Sequence, residues 1–151
     1  MMNLSQISSV LEHEYPMLLI DGVSHIEPNL SCRAFKNITY NEWFFPAHFP
    51  KNPIVPGSLQ IEIFTQAVAL PLIVSGNLKN TSNTKVLLAG VDKVRFYKPL
   101  KPGDKFEIFV KIDRIAMGVA SASVKGIVND EIVSECKITY KIISEKENKN
   151  S

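Results

Sequence analysis

The sequence has little of several features that would each indicate a particular class of protein. It contains 2 cysteines in 151 residues, and its formal charge at pH 7 is only +2. Cys32 and Cys136 are far apart and have no CxxC spacing, so no disulfide can be inferred and a reduced pair is expected. Because so small a charge comes without a stripe of basic and aromatic residues, we expect no nucleic acid partner.

Long apolar runs are also missing. No run reaches the roughly 18 residues that a membrane span needs, so we expect no contact with a membrane. The start of the chain, MMNLSQISSV, lacks the basic and apolar regions of a secretory signal, and a cytoplasmic protein is expected. Spacings such as C-x₂-C and H-E-x-x-H are absent, as are the patterns GxGxxG and GxxxxGK[ST]. We therefore expect neither a metal nor a cofactor.

Proline, by contrast, is concentrated around one histidine. Pro46, Pro50, Pro53 and Pro56 all lie within ten residues of His48. Each proline fixes φ and removes a backbone donor, so this segment can be neither an ordinary strand nor an ordinary helix. A stiff loop would hold a histidine ring in a fixed direction, which makes His48 a candidate functional residue.

The segment after this loop, SLQIEIFTQAVAL at 58–70, predicts a buried helix. Its apolar residues cover nearly every direction around the helix axis. Ser58, Glu62 and Gln66 recur every four residues and form one polar stripe. A carboxylate on a buried helix is costly unless it is paired, hydrogen-bonded or beside a wet cavity. Glu62 is therefore either a structural acid, in a cap or an ion pair, or a functional one.

The rest of the chain is rich in strand patterns. A short helix capped by Asn3 or Ser5 is predicted over 3–12, and strands are predicted over 17–27, 31–40, 86–98, 105–112, 119–128 and 132–143. In the last strand one face holds Ile132, Cys136, Ile138, Tyr140 and Ile142, which makes Cys136 a buried thiol.

Three further expectations concern boundaries. Pro71 should end or kink the long helix near Leu70. Residues 75–84 should form an exposed loop, and the polar tail 144–151 should be disordered. The single domain would then span residues 1–143.

These elements predict an α+β domain. Antiparallel strands with one polar face need a cover on the other face, and only one long buried helix is available. The economical architecture is an antiparallel sheet wrapped around that central helix. A helix so apolar also needs a second copy of the chain nearby, so we expect at least a dimer.

Three segments of the chain carry a family resemblance. HEYPMLLIDGV is similar to HRYPFLLVDRV, HFPKNPIVPGSLQIEIFTQ is similar to HFPxxPxMPGxLxxEAMAQ, and LAGVDKVRFYKPLKPGD matches a third signature in the same order. The chain thus resembles, from His13 to Tyr140, the hot-dog-fold (3R)-hydroxyacyl-[acyl-carrier-protein] dehydratases of dissociated fatty acid synthesis. Glu rather than Asp at position 62 resembles the type that acts broadly in elongation.

The resemblance implies a function for several residues. His48 matches the catalytic histidine, Glu62 the catalytic acid, and Gly57 the residue whose backbone N–H binds the thioester carbonyl. Gln66 and Ser58 would support them. The family's histidine and acid come from different protomers, which implies a homodimer with the active site at its interface, possibly within a trimer of dimers. The substrate would be a 3-hydroxyacyl chain on an acyl carrier protein.

These residue types suit a dehydration. Histidine ordinarily titrates near neutral pH and can take the C2 proton of the thioester. A partly desolvated glutamic acid can protonate the leaving hydroxyl. Free N–H groups at a helix start stabilise the charge on the thioester oxygen. One histidine could also serve both steps, with Glu62 only orienting the substrate.

The substrate also needs an apolar slot and a docking surface. The candidate walls of the slot are Leu59, Ile63, Phe64 and Phe96, each of which could equally be core. The candidate docking surface for an acidic carrier protein is a basic cluster, which could equally be a solvated strand face: Lys93, Arg95, Lys98 and Lys101.

The sequence departs from the family pattern at several places. Ala47 stands where the family has a glycine, and it would be strained if the backbone there needs a positive φ. On the helix, Gln60, Ile63, Phe64 and Thr65 replace smaller or more apolar residues. Two alternatives to a dehydratase stay open: a hot-dog acyl-thioesterase, and a non-catalytic acyl-binding or partner subunit.

Overall fold

The structure, a computed structural model, describes residues 1–74 and 84–144. Its elements in chain order are α1 (Leu4–Leu11), β1 (Gly22–Glu27), β2 (Ser31–Asn37), α2 (Gly57–Ile73), β3 (Thr84–Phe96), β4 (Lys105–Ala116), β5 (Val119–Val128) and β6 (Glu131–Ser144). The predicted first helix and its Asn3 cap are confirmed. The Asn3 side chain accepts a hydrogen bond from the Gln6 N–H, and the Gln6 side chain accepts one from the Asn3 N–H.

The six strands form one antiparallel sheet in the order β1-β2-β4-β5-β6-β3, and α2 contacts every strand of it. Alternation along the strands explains this packing. In β4 the alternate residues Phe106, Ile108, Val110 and Ile112 are all buried. The Phe106 ring lies 5.7 Å from the ring of Phe64 on α2. The predicted α+β architecture, an antiparallel sheet around one long helix, is confirmed.

Of the two outcomes expected at Pro71, an end of the long helix near Leu70 is wrong, because α2 continues to Ile73. A kink stays a prediction. Pro71 lacks the N–H that would bond the carbonyl of Ala67, but the helix continues for only two residues beyond it. Two hydrogen bonds to carbonyl groups stabilise the last turn of α2. The Leu70 carbonyl accepts the Val74 N–H at 3.0 Å, and the Pro71 carbonyl accepts the Asn29 N–H at 2.7 Å.

Two strand predictions also need correction. The strand expected from residue 17 begins at Gly22 instead, because the backbone at Met17 and Leu19 bonds the side chain of Gln66. In β6 the pairing with β5 shifts near Gly126, so that Ile132 is 40% exposed and Val133 takes its place in the core. A bulge of this kind reverses the side-chain alternation locally.

Other predictions fall partly or wholly outside the described residues. This applies to the loop over 75–83 and to the tail over 145–151, whereas Thr84 and Ser144 belong to strands. The buried thiol at Cys136 is confirmed. Both Cys32 and Cys136 are free and buried, and burial raises the pKa of each to about 12.

Strand β3 lies at one edge of the sheet and exposes apolar side chains. It pairs with β6 alone within the described part of the chain. Leu87 is 55% exposed and Leu88 is 50% exposed. A long edge strand with open backbone groups and exposed apolar residues is a surface on which another strand can pair.

Candidate active site

The proline-rich loop predicted from the sequence folds back on itself and fixes the backbone of His48. The His48 N–H bonds the Phe44 carbonyl at 3.1 Å, and the His48 carbonyl accepts the Ile54 N–H at 3.0 Å. Val55, next in the chain, donates its N–H to the Leu100 carbonyl at 2.9 Å. The loop is thereby attached to the segment that follows β3.

The His48 ring is held by a hydrogen bond and by stacking. Its Nδ1 lies 2.9 Å from the Ile54 carbonyl oxygen, and the Phe49 ring stacks on it with centroids 4.1 Å apart. A carbonyl oxygen only accepts hydrogen bonds, so Nδ1 must carry the proton. Nε2 of the neutral ring then has a free lone pair and can act as a base.

Helix α2 begins immediately after this loop with uncapped N–H groups. Pro56 precedes the helix and gives no side-chain cap, while its carbonyl accepts the N–H groups of Leu59 and Gln60. The N–H groups of Gly57 and Ser58 have no acceptor among the described residues. Such free donors, at the positive end of the helix dipole, favour a negatively charged oxygen.

A steric contact explains why the residue at the start of α2 is a glycine. A Cβ atom added to Gly57 would lie 2.8 Å from Cζ of Phe96, which is closer than carbon atoms approach. The ring of Phe96 therefore packs directly on the backbone where the free N–H groups begin. A ligand that reaches these donors also meets an aromatic wall.

Two clefts meet at His48. A cleft of about 250 Å³ is lined by His48, Gly57, Gln60, Phe96 and Lys98, together with Ile54, Val55, Tyr97 and Pro99. A second cleft, of about 350 Å³, is lined by His48 with Trp43, Phe44, Ala47, Pro56, Ser58 and Leu59. The first cleft combines a base, a helix start and an apolar ring, which suits a substrate with a polar head and an apolar chain.

Glu62 lies outside both clefts, and its carboxylate contacts Gln66 of the same helix and His13. Gln66 donates from Nε2 to Glu62 Oε1 at 3.0 Å, and His13 Nε2 lies 3.8 Å from the same oxygen. The carboxylate stays accessible, with 30% of its side chain exposed. Within one chain, no hydrogen bond or ion pair between described residues joins Glu62 to His48.

Comparison with known proteins identifies the family. Residues 11–137 match the FabA-like domain. The chain belongs to this family. A relative from Dechloromonas aromatica (strain RCB), the 3-hydroxyacyl-[acyl-carrier-protein] dehydratase FabZ, is 37% identical over 137 residues, which cover 91% of this chain and 95% of the relative. The family predicted from the three sequence segments is thereby confirmed.

Solved structures support the fold of this FabA-like domain. The dehydratase heterocomplex ApeI:P from Xenorhabdus doucetiae aligns with a TM-score of 0.73 at 14% identity, over 96% of this chain and 97% of that one. A hot-dog-like protein from Thermanaerovibrio acidaminovorans aligns with a TM-score of 0.62 at 15% identity, over 79% of this chain and 84% of that one. At these identities the likeness concerns the fold alone, and it confirms the predicted hot-dog fold.

The candidate wall residues of this domain divide into two groups. Phe96 lines the first cleft and Leu59 the second. Ile63 and Phe64 are 1% and 0% exposed and line neither cleft. A contact between Ile63 or Phe64 and an acyl chain stays a prediction.

The four basic residues predicted as a docking surface are all exposed. Lys98 and Lys101 line a common cleft, in which Lys98 forms an ion pair with Glu131. Arg95 pairs in register with Glu135 on β6, and the Lys101 N–H bonds the Asp104 carboxylate. Of these residues, Lys98 is the one that reaches the His48 cleft.

The other departures from the family pattern also have a place in the structure. Ala47 is not among the non-glycine residues with positive φ in the described part of the chain, so its substitution for glycine causes no left-handed strain there. No feature of the sequence signals that Ile54 holds the His48 ring through its carbonyl. Gln60 departs from the family pattern, but that departure alone does not predict a functional role.

The described part of the chain has no candidate metal site and no candidate membrane span. Within 1–74 and 84–144, no three His, Cys, Asp or Glu side chains are grouped so that they could hold a metal ion. No helix in those ranges has both the length and the apolar character needed to cross a bilayer.

Proposed function

We propose that this protein removes water from (3R)-3-hydroxyacyl thioesters on an acyl carrier protein and gives trans-2-enoyl thioesters, as a hydro-lyase of fatty acid biosynthesis. The observation that carries the proposal is the 37% identity to a dehydratase of this kind over 91% of this chain and 95% of the relative. The arrangement of His48, Gly57 and the apolar cleft agrees with that chemistry. We expect the reaction in the cytoplasm and without a cofactor.

His48 is the base of the proposed reaction. Because Nδ1 donates to the Ile54 carbonyl, Nε2 takes the proton from C2 of the substrate. The electron pair of the broken C2–H bond forms the C2=C3 double bond. The C3–O bond breaks, and the hydroxyl leaves as water after it receives a proton.

The start of α2 holds the thioester carbonyl in this proposal. Negative charge develops on the carbonyl oxygen as the C2 proton leaves, and the N–H groups of Gly57 and Ser58 have no other acceptor among the described residues. One preorganised donor of this kind is commonly worth about 3 kcal/mol of barrier. Phe96 provides an apolar wall beside them.

Glu62 is the acid that protonates the leaving hydroxyl, and we place it opposite His48 of a second copy of the chain. Two observations support a site shared between protomers. Neither cleft at His48 includes Glu62, and the edge strand β3 exposes Leu87 and Leu88 where a second sheet could pair. Assembly of three such dimers into a trimer of dimers stays a prediction.

The remaining parts of the substrate follow from the same placement. The acyl chain would lie against Phe96 and Leu59, and Ile63 and Phe64 would bound its far end. The acidic carrier protein would dock on Lys93, Arg95, Lys98 and Lys101, with Lys98 beside the cleft.

Hydration of a crotonyl thioester tests the activity in the reverse direction. The proposal expects reversible hydration, seen as loss of enoyl thioester absorbance and formation of the 3-hydroxyacyl product. Release of free thiol would indicate a thioesterase. Binding of the thioester without either reaction would indicate a non-catalytic acyl-binding subunit.

Subunit mixing tests the shared site. His48→Ala and Glu62→Gln homodimers should each be inactive, because every site lacks one group. When the two are unfolded and refolded together, the mixed dimers contain one site with both groups, and activity should return. If activity stays absent although mixed dimers are isolated through two different affinity tags, the site does not span two protomers.

A further inference from the structure

Two buried side-chain atoms in the described residues have no hydrogen-bond partner: Oε1 of Gln60 and Oγ of Ser134. Gln60 is 3% exposed and Ser134 is 0% exposed. Buried polar groups in proteins are nearly always hydrogen-bonded, and one that is not lowers stability. At a ligand site, a buried polar group can be unpaired in the free protein because the ligand supplies its hydrogen-bond partner.

Gln60 lies at such a site, whereas Ser134 does not. Gln60 lines the cleft that contains His48, Gly57 and Phe96. It follows Gly57 by three residues on α2, so the two lie on the same face of the helix about 4.5 Å apart along its axis. Ser134 is on β6 and lines neither cleft at His48.

The other polar side chains of this cleft are already occupied. The Tyr97 hydroxyl donates to Glu135 at 2.7 Å, and the Lys98 ammonium pairs with Glu131. His48 uses Nδ1 to bond Ile54 and keeps Nε2 as the base. Oε1 of Gln60 is therefore the one buried side-chain atom in this cleft's lining, among the described residues, that has no hydrogen-bond partner.

We propose that Gln60 accepts a hydrogen bond from the 3-hydroxyl of the substrate and orients it for elimination, an inference that rests on the proposed function. An unpaired acceptor needs a donor. In the reacting part of a 3-hydroxyacyl thioester the 3-hydroxyl is the only donor, because a thioester carbonyl oxygen only accepts. The last torsion of a glutamine side chain is broad and roughly two-fold, so rotation about it can turn the oxygen toward the cleft.

This contact is compatible with the protonation step. A hydroxyl group has one hydrogen to donate and two lone pairs to accept. It can donate to Gln60 while a lone pair takes the proton from Glu62. The contact fixes the direction of the C3–O bond relative to the C2–H bond that His48 breaks, and so a geometric effect on turnover is expected.

Gln60→Met tests the proposal, with Ser134→Ala as the matched control. Methionine has a similar length and no oxygen, so each variant removes one unpaired buried polar atom. Both variants should melt a few degrees higher than the unaltered protein. Gln60→Met alone should lower kcat/KM for a 3-hydroxyacyl thioester, by roughly tenfold for the loss of one neutral hydrogen bond. Ser134→Ala should leave kcat/KM unchanged.

A saturated acyl thioester of the same length shows which part of the substrate is contacted. It lacks the 3-hydroxyl, so its inhibition constant should be the same for Gln60→Met and the unaltered protein. If Gln60→Met weakened the binding of this inhibitor by the same factor as it lowers kcat/KM, the contact would lie on the thiol side of the thioester. That result would overturn the proposal. Unchanged kcat/KM in Gln60→Met would also overturn it.

Two further measurements separate this inference from other outcomes. A lower melting temperature or a dissociated dimer in Gln60→Met would show that the amide has a structural partner, which contradicts the proposal. If the unaltered protein itself neither dehydrates nor hydrates the thioesters, the proposed function fails. If the unaltered protein is active and only the Gln60→Met effect is missing, the proposed function stands and this inference fails.

Discussion

The Nδ1 atom of His48 lies 2.9 Å from the carbonyl oxygen of Ile54, six residues further along the same loop. This contact sets the tautomer of the ring, because the carbonyl requires the proton on Nδ1. It also leaves Nε2 as the ring nitrogen with a free lone pair. The prolines of the loop and the hydrogen bonds from Val55 and His48 keep the two groups together.

Replacing the histidine should therefore remove the base while the fold survives. We expect His48→Ala to lower the hydration rate of a crotonyl thioester at least ~100-fold, the lower end of the usual contribution of a positioned base. His25→Ala is the matched control, since His25 is a solvent-exposed histidine on β1 that bonds Glu27 at 2.8 Å. It should retain the full rate. Circular dichroism should show the same fold for both variants, and near-normal activity in His48→Ala would contradict the assignment.

Gln66 connects the acid to the segment before β1, so its removal should affect stability and activity together. Its amide bonds Glu62 at 3.0 Å, the Met17 carbonyl at 2.6 Å and the Leu19 N–H at 3.0 Å. Gln66→Met leaves the two backbone groups unpaired, and the free energy of unfolding should fall by about 2–4 kcal/mol. Denaturant titration measures this loss. A stable variant with full activity would show that Gln66 neither supports the fold nor positions Glu62.

The packing of Phe96 on Gly57 predicts that substitutions at these two positions have non-additive effects on kcat/KM. Gly57→Ala places a methyl group 2.8 Å from the ring, so the ring must move and the approach to the helix start narrows. We expect a clear loss of kcat/KM with little loss of stability, because Phe96 is 49% exposed and free to shift. In a Phe96→Ala background, Gly57→Ala should cost less than in the unaltered protein. Equal costs in both backgrounds would show that the ring is not the cause.

The buried hydroxyl of Tyr140 predicts a pH dependence of stability. Burial raises the pKa of Tyr140 to about 12, while its hydroxyl donates to the Thr65 carbonyl on α2 at 2.8 Å. The pKa in the folded state is higher than in the unfolded state, so this contribution is complete below pH 10 and is lost as the pH rises through 12. Tyr140→Phe should therefore show a shallower fall of the unfolding free energy between these two pH values. An identical slope in both proteins would contradict this.

Much of the fold could be predicted from the sequence because alternation and helix periodicity are local signals. Residues 105–112 and 119–128 alternate clearly, and both became strands. The failures have tertiary causes. The segment at Met17–Leu19 has the composition of a strand, but its backbone groups bond a glutamine side chain from α2. Nothing in the local pattern signals such a partner, and the same holds for Asn29, which completes the last turn of α2 at Pro71.

The candidate site was predictable to a different degree. His48, Gly57 and Glu62 lie within fifteen residues of sequence, so a pattern could pick them out. The contacts that support these residues have no signature in the sequence. Ile54 acts through its carbonyl oxygen, which every residue has, and Phe96 lies on a strand far along the chain. The first contact depends on how the loop folds and the second on how distant elements pack.

The hydrogen bond from the Leu19 N–H to Gln66 Oε1 gives this molecule a built-in reporter. Most amide protons exchange with deuterium when a helix or sheet ladder opens, but the Leu19 amide proton can exchange when its single hydrogen bond to the Gln66 side chain breaks. Because that same side chain grips the Glu62 carboxylate, the deuteration rate at Leu19 measures how often the carboxylate loses its support. One amide signal in a nuclear magnetic resonance spectrum could thus report how often Glu62 is hydrogen-bonded to Gln66, without any substrate present.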